Sequence, residues 1–360
     1  MQAHNQITNQ AGNGAPNDSL VSILGGGPAG ASAAIAARLE GKQVHLIDGA
    51  KFPRHKVCGE FFSPEIATEL DQLGAWDAFL QSGPARVHRM KLHFGAREKI
   101  ARLPESAWGL SRYAFDLLLR DRAQGLGAEL VQECGDDEPS VIACGRNRVI
   151  PEPGTARSTT IRARIQSTGS RLFGFKAHFE GPVDDAVELF FFSRCYVGIN
   201  AIENRRTNVC GLGPENFLRQ FQFEYDRVIL QCPALADRLA PLRRSTKWFS
   251  TGPLHYAQAF GPLTKSHYLA GDALSFVDPF TGSGLLAAVK TGAMAGQAAA
   301  RREPAEAYYA RCQSILKQPF EIASIFRAAV DGDWLNDRWT SRLARLIPSR
   351  ALFSLTRPRS

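Results

Sequence analysis

The chain has 360 residues, is 44% hydrophobic and 22% charged, and carries a formal net charge of +8, so it can bury a large core or two intergrown ones. It has no uncharged run of ~18 apolar residues that would span a membrane. Its seven scattered cysteines have no metal-like spacing, which argues against structural zinc and for a reducing, cytoplasmic setting. The positive charge suits solubility and an anionic cofactor, and no nucleic-acid module is evident.

Met1 to Asp18 is polar, without periodicity and without the apolar centre of a signal peptide, and is expected to be a disordered leader. Leu20 to Leu24 is apolar, contains β-branched residues and is ended by glycines, as in a short buried strand. Pro28 to Glu40 is rich in alanine and predicts a helix. Between them Gly25, Gly27 and Gly30 fit G-x-G-x-x-G. Gly25 permits the tight turn, Gly27 lets backbone approach a pyrophosphate, and Gly30 lets the helix lie close to the strand. Pro28 and Ala29 begin the helix whose free N–H groups would face the phosphates. A second strand, Gln43 to Ile47, ends at Asp48, where a carboxylate can accept hydrogen bonds from ribose hydroxyls and would disfavour a 2′-phosphate.

Downstream, Phe173, Phe175, Phe179 and Phe190 to Phe192 concentrate in a strand-like stretch. Alternation must send Phe191 to one side and its neighbours to the other, so one set is a candidate lining for an apolar substrate pocket. Gly211-Leu212-Gly213 lacks a third glycine and an acid-ended strand, and reads as a strand end rather than a second nucleotide loop. NAD(P)H, if it is the electron donor, would therefore bind only transiently. Gly271-Asp272 and Asp278 to Gly284 form a second acidic and glycine-rich helix start after an apolar strand. Two phosphate-and-polyol sites on one chain suggest one long cofactor between them, and FAD fits best. Gln313 onward looks mostly helical. From Arg338 to Ser360 six arginines and no acid are interleaved with apolar residues, a pattern suited to peripheral contact with anionic lipid or to a helix that covers the core.

Four runs carry a family resemblance: Lys51 to Glu60, Leu110 to Asp116, Gly174 to Phe179, and Gly271 to Gly284. In this order the chain resembles the geranylgeranyl reductase-like flavoproteins of the para-hydroxybenzoate hydroxylase superfamily, from about Ser19 to about Arg311. The resemblance implies an FAD-dependent oxidoreductase. It implies Arg54 and Lys56 beside the cofactor, Cys58-Gly59-Glu60 running past the isoalloxazine ring, and Arg112 on the adenosine–pyrophosphate side. Asp272 would accept from the ribityl chain, after Gly271, and Gly282, Ser283 and Gly284 would present N–H groups near flavin N1 and C2=O. A helix start there favours negative charge on the reduced ring. Cys58 is either a participant in catalysis or a small soft residue filling space by the ring; its sequence neighbourhood holds no second cysteine for a redox pair. Glu60 is the nearest candidate acid for protonating a substrate carbanion, the alternative being a surface residue or a partner of Arg54 or Lys56.

The chain departs from its relatives in three places. Of a Tyr-x-Trp-x-Phe-Pro run associated with isoprenoid reduction, only Tyr196 is kept. The Trp-x-Trp-x-Ile-Pro signature of flavin halogenases is absent. The stretch from Glu129 to Arg146 is too short for the β-meander relatives place there.

The expected fold is α/β: a Rossmann-type FAD-binding domain (residues 19–83, 110–168 and 255–310), an inserted antiparallel β-sheet substrate domain (84–109 and 169–254) and a helical C-terminal region (311–360). The expected function is oxidoreduction of a mainly apolar organic substrate, by C=C reduction or by monooxygenation. A flavoprotein that only carries electrons or binds a ligand is the alternative.

Overall fold

The computed structural model describes residues 20–95, 97–134, 138–147, 149–151, 158–160, 164–166, 171–254, 256–258, 267–276 and 282–332. The leader, residues 277–281 of the second loop and the arginine-rich tail lie outside the described residues.

A parallel sheet carries the nucleotide-type unit. Its strands run in the order Tyr268–Leu269, Val141–Ile142, Leu20–Leu24, Gln43–Ile47 and Glu129–Val131. Leu20–Leu24 pairs in register with Gln43–Ile47, and Val21 and Ile23 are buried, as expected for an apolar strand covered on both faces. The stretch from Glu129 to Arg146 is indeed short, yet the two strands at its start and middle still take their places in this sheet. The helices Pro28–Leu39, Arg112–Gly125 and Gly284–Arg301 supply much of the surrounding core.

Pro28–Leu39 and Gly284–Arg301 come unusually close. A Cβ placed on Gly292 would lie 2.1 Å from the carbonyl oxygen of Ala29, and one on Gly296 would lie 2.1 Å from that of Ala33. Only glycine permits this approach. It is why the starts of two helices distant in sequence reach the same place.

The second sheet is mixed and nine-stranded among the described residues. Its central order is Leu172–Glu180, Arg206–Pro214, Cys195–Ile202, Ala186–Phe192, Ala85–Phe94 and Arg97–Gly109. Neighbours are antiparallel except Ala186–Phe192 and Ala85–Phe94, which run parallel, so the expected antiparallel sheet holds one parallel pair. One face packs Phe175, Phe179, Phe190 and Phe192 against the short helices between Glu215 and Leu239. The other face packs Phe191, Met90, Tyr196, Leu212 and Leu254. The long helix Ala305–Asp331 adds Phe326 and Val330 to that second face. Among the described residues no helix is long and apolar enough to cross a membrane.

Candidate functional site

One cavity of about 590 Å³ runs from the first glycine loop, past the start of helix Gly284–Arg301, to the second face of the mixed sheet. Gly25, Gly27, Pro28, Ala29, Asp48, Arg54, Lys56, Cys58, Glu60, Arg112, Gly271, Asp272, Gly282, Ser283 and Gly284 all line it. The structure thus brings together every sequence-predicted cofactor-binding and catalytic residue except Gly30, which lies beneath the loop.

The three motif glycines do different work. Gly25 has φ +104, and a Cβ there would meet the Ala143 carbonyl oxygen at 2.4 Å. A Cβ on Gly30 would sit 1.7 Å from the carbonyl oxygen of Gly25, so this glycine joins helix to strand. Around Gly27 the nearest atom to such a Cβ is Arg112 Nη2 at 3.9 Å. Gly27 therefore leaves backbone open to the cavity at the start of a helix with no side-chain cap. Gly284 is similar: nothing lies within 4 Å of its Cβ position, and its helix also lacks a side-chain cap. Two uncapped helix starts facing one cavity favour an anionic or electron-rich ligand at both ends.

Asp48 is oriented by its own chain. Its Oδ2 accepts from the Gly26 N–H at 2.7 Å and from Arg54 Nη2 at 3.2 Å, and its Oδ1 accepts from the Ala50 N–H at 2.9 Å. Arg54 and Arg120 lie over the Phe52 ring, at 4.4 and 3.8 Å from its centroid. Arg120 was not legible as a site residue. It is buried, its Nη1 has no hydrogen-bond partner among the described residues, and that atom lies 2.4 Å from the Cβ position of Gly26. An unspent buried donor beside the ribose-type carboxylate fits a bound nucleotide. Arg112 is held by Asp116, with Nη2 donating to Oδ2 at 2.7 Å. Burial disfavours its charge, but the Asp116 carboxylate outweighs that and raises its pKa. Lys56 is pushed the other way, first by burial and then by Arg54 and Arg112.

At the far end, Gly271 takes φ +59 and donates its N–H to Thr291 Oγ1 at 3.0 Å, which fixes the turn that presents Asp272. Arg146, on the turn after Val141–Ile142, reaches across to donate to Thr251 Oγ1 at 2.7 Å and lines the cavity near Phe276.

Glu60, the candidate acid, sits at the centre of a buried cluster of donors. Its residue is fully buried and pairs with neither Arg54 nor Lys56. Its Oε1 accepts from the Arg112 N–H at 2.6 Å and from Lys176 Nζ, and its Oε2 accepts from His178 Nε2 at 2.7 Å. Burial would push this carboxyl up, but Lys176 and then His178 outweigh it and hold it below the ordinary carboxylate range. Three donors around one carboxylate favour its ionised form. Cys58 is half-buried on the cavity wall, and desolvation there pushes its thiol up, which makes it a poor thiolate. Its sulfur accepts the Glu60 N–H at 3.4 Å. The space-filling reading of Cys58 fits this environment.

The pocket expectation for the phenylalanines is corrected. Phe190 and Phe192 pack on the helical side and Phe191 on the other, as alternation requires, but none of the three lines the cavity. Its apolar wall is made instead by Met90, Val187, Leu189, Tyr196, Leu212 and Leu254. Gly211-Leu212-Gly213 lies within the strand Arg206–Pro214.

The residues present fit FAD: an open backbone cradle at Gly27 and Gly284, an oriented carboxylate at Asp48, and a buried donor on Arg120 left unpaired among the described residues. No family model matches the chain. Over 116 residues, 31% of the chain, it is 33% identical to menaquinone reductase of Mycolicibacterium smegmatis, and that match spans 28% of the relative's length. A flavin-dependent brominase superposes with a TM-score of 0.72 at 17% identity, covering 91% of this chain and 92% of its own. A geranylgeranyl bacteriochlorophyll reductase-like protein from Thermoplasma acidophilum superposes with a TM-score of 0.67 at 18% identity, over 93% of this chain and 92% of its own. The chain therefore has the fold of the FAD-dependent oxidoreductases, geranylgeranyl reductase-like proteins and flavin-dependent halogenases among them.

Proposed function

We propose that the chain is an FAD-dependent reductase that adds two electrons and two protons, as a hydride and a proton, to a C=C bond of an apolar organic substrate. The observation that carries this is the single cavity that joins two uncapped helix starts to an apolar wall. Bound FAD would supply the two-electron chemistry. The protein's part is positional and electrostatic. The N-terminus of Pro28–Leu39, with Arg54 and Arg120 nearby, favours the phosphates, and Asp48 suits the adenosine ribose. Asp272 suits the ribityl hydroxyls. The start of Gly284–Arg301 favours negative charge on the ring. Met90, Val187, Leu189, Tyr196, Leu212 and Leu254 exclude water and favour a hydrocarbon. The partial sequence likeness to menaquinone reductases favours reduction over oxygenation. NAD(P)H or another donor would reduce the cofactor transiently, since the second glycine-rich run is spent on a strand.

The test is anaerobic. The holoprotein, reduced chemically under argon, is mixed with quinones, isoprenoids and aromatic compounds, and flavin absorbance and products are followed together. Reoxidation with a product two hydrogens heavier is the expected result. Product formation that requires oxygen would assign a monooxygenase. Flavin that cycles while every ligand is recovered unchanged would assign a carrier.

A further inference from the structure

We propose that Lys176 and His178 are positioning residues that, through Glu60, clamp the Cys58–Glu60 wall of the cavity and balance its charge beneath the redox group. The inference rests on the flavin reading of the cavity. It starts from an oddity of the mixed sheet. On the strand Leu172–Glu180, Phe175, Ala177 and Phe179 pack into the apolar cluster on the helical side. Lys176 and His178 alternate with them and point to the opposite face, and both are fully buried. A buried lysine is costly unless its charge is met.

The charge is met on the cavity wall. Lys176 Nζ donates to Glu60 Oε1 and also to the carbonyl of Lys56 at 3.1 Å. His178 Nε2 lies 2.7 Å from Glu60 Oε2. Since the ionised carboxylate only accepts, Nε2 carries the proton. Two asparagines on neighbouring strands complete the grip. Asn208 Nδ2 donates to the carbonyls of Cys58 at 3.2 Å and Gly59 at 2.8 Å, and Asn200 Nδ2 to that of Glu60 at 3.4 Å. Four buried polar side chains on three strands thus converge on residues 56–60.

A second observation is independent of the ion cluster. Glu60 has φ +54, a left-handed backbone that a non-glycine residue adopts only where its surroundings over-determine it. Here the surroundings are the clamp on one side and the Arg112 N–H on the other. Residues 56–60, which the clamp holds, line the cavity. Lys176 and Glu60 carry opposite charges in direct contact, so the wall faces the redox group with that pair balanced. Removing either charge leaves the other exposed to whatever charge the cavity gains.

The test uses K176M, E60Q and the double variant E60Q/K176M in the full chain. In FAD-loaded protein, K176M leaves an uncompensated anion and should lower the flavin midpoint potential. E60Q leaves an uncompensated cation and should raise it. Each shift should be roughly tenfold in the oxidised-to-reduced ratio, as for one charge at short range in an effective dielectric near 20. The double variant should return to the wild-type potential, and it keeps the test open should a single variant fail to fold, because a buried pair removed as a unit is tolerated. Shifts of the same sign, or none, overturn the proposal, since mere loosening of the fold has no sign. In protein without FAD, alkylation of Cys58 followed by peptide mass mapping should be about ten times faster in K176M, with buried Cys195 as the unfolding control. An unchanged Cys58 rate overturns the clamp. That arm needs no flavin, so it still decides if the chain takes up no FAD and the functional reading itself fails.

Discussion

Two glycines of one motif should fail in opposite ways when each gains a methyl group. A Cβ on Gly30 falls 1.7 Å from the Gly25 carbonyl oxygen, where ordinary contact begins at 3.4 Å, so helix and strand must separate by about the difference. Both partners are backbone, and no rotamer change relieves the clash. Overpacking of this kind costs roughly 1–3 kcal/mol, and alanine returns about 1 kcal/mol through helix propensity. With a backbone clash this short the upper end of that cost applies, and G30A should lose about 2 kcal/mol of stability even without ligand. Gly27 has φ −76 and ψ −173, open to any L residue, and its Cβ would meet nothing closer than 3.9 Å. G27A should keep its stability without FAD to within about 0.5 kcal/mol. Yet that methyl would stand where a pyrophosphate needs bare backbone, and FAD affinity should fall about a hundredfold, or roughly 2.8 kcal/mol. Urea unfolding of the FAD-free proteins, read by tryptophan fluorescence, and titration with FAD, read by flavin quenching, separate the two effects. A G27A variant that binds FAD like the wild type, or a G30A variant as stable as the wild type, would refute the reasoning.

The wild type should purify yellow with FAD bound non-covalently, and Asp272→Ala should weaken FAD binding by about 1–3 kcal/mol through loss of an acceptor for a polyol hydroxyl; equilibrium dialysis against FAD measures it. Replacing Phe190 and Phe192 by alanine should cost about 3–5 kcal/mol each and leave FAD affinity unchanged, since both face the helical layer; a large change in affinity would contradict their placement. The Glu60 carboxyl is held below the ordinary carboxylate range, so its stabilisation is fully present above that range and lost as pH falls through the lower folded value. Urea midpoints between pH 7 and pH 3 should show this acid limb in the wild type and its loss in E60Q, which at pH 7 should be less stable by about 3–5 kcal/mol because Lys176 remains buried and unpaired.

The parts of the site legible in the sequence are those encoded locally. The turn at Gly25 to Gly30 and the acid at Asp48 are fixed by strand, glycine and helix patterns a few residues long, and the structure shows them at one end of the cavity. The parts that were missed are relations across the chain. Lys176 and His178 stood in plain view on a phenylalanine-rich strand, and two polar residues two apart on one face were the available signal. What no local pattern could supply was their partner, because Glu60 sits more than a hundred residues upstream. Arg120 was hidden for a related reason: on a helix it reads as one more surface arginine, and only the fold tucks it against Gly26. Phe190 to Phe192 erred differently, since alternation gives the two faces of a strand but not which neighbour covers each. Gly292 and Gly296 went unread in an alanine-rich helix, yet they decide the site. Without their contacts to the carbonyls of Ala29 and Ala33, the helix beginning at Gly284 could not approach the one beginning at Pro28. The two glycine loops would then be separate sites. A single long cofactor is the natural ligand because glycine at these two positions lets one helix lie against the other.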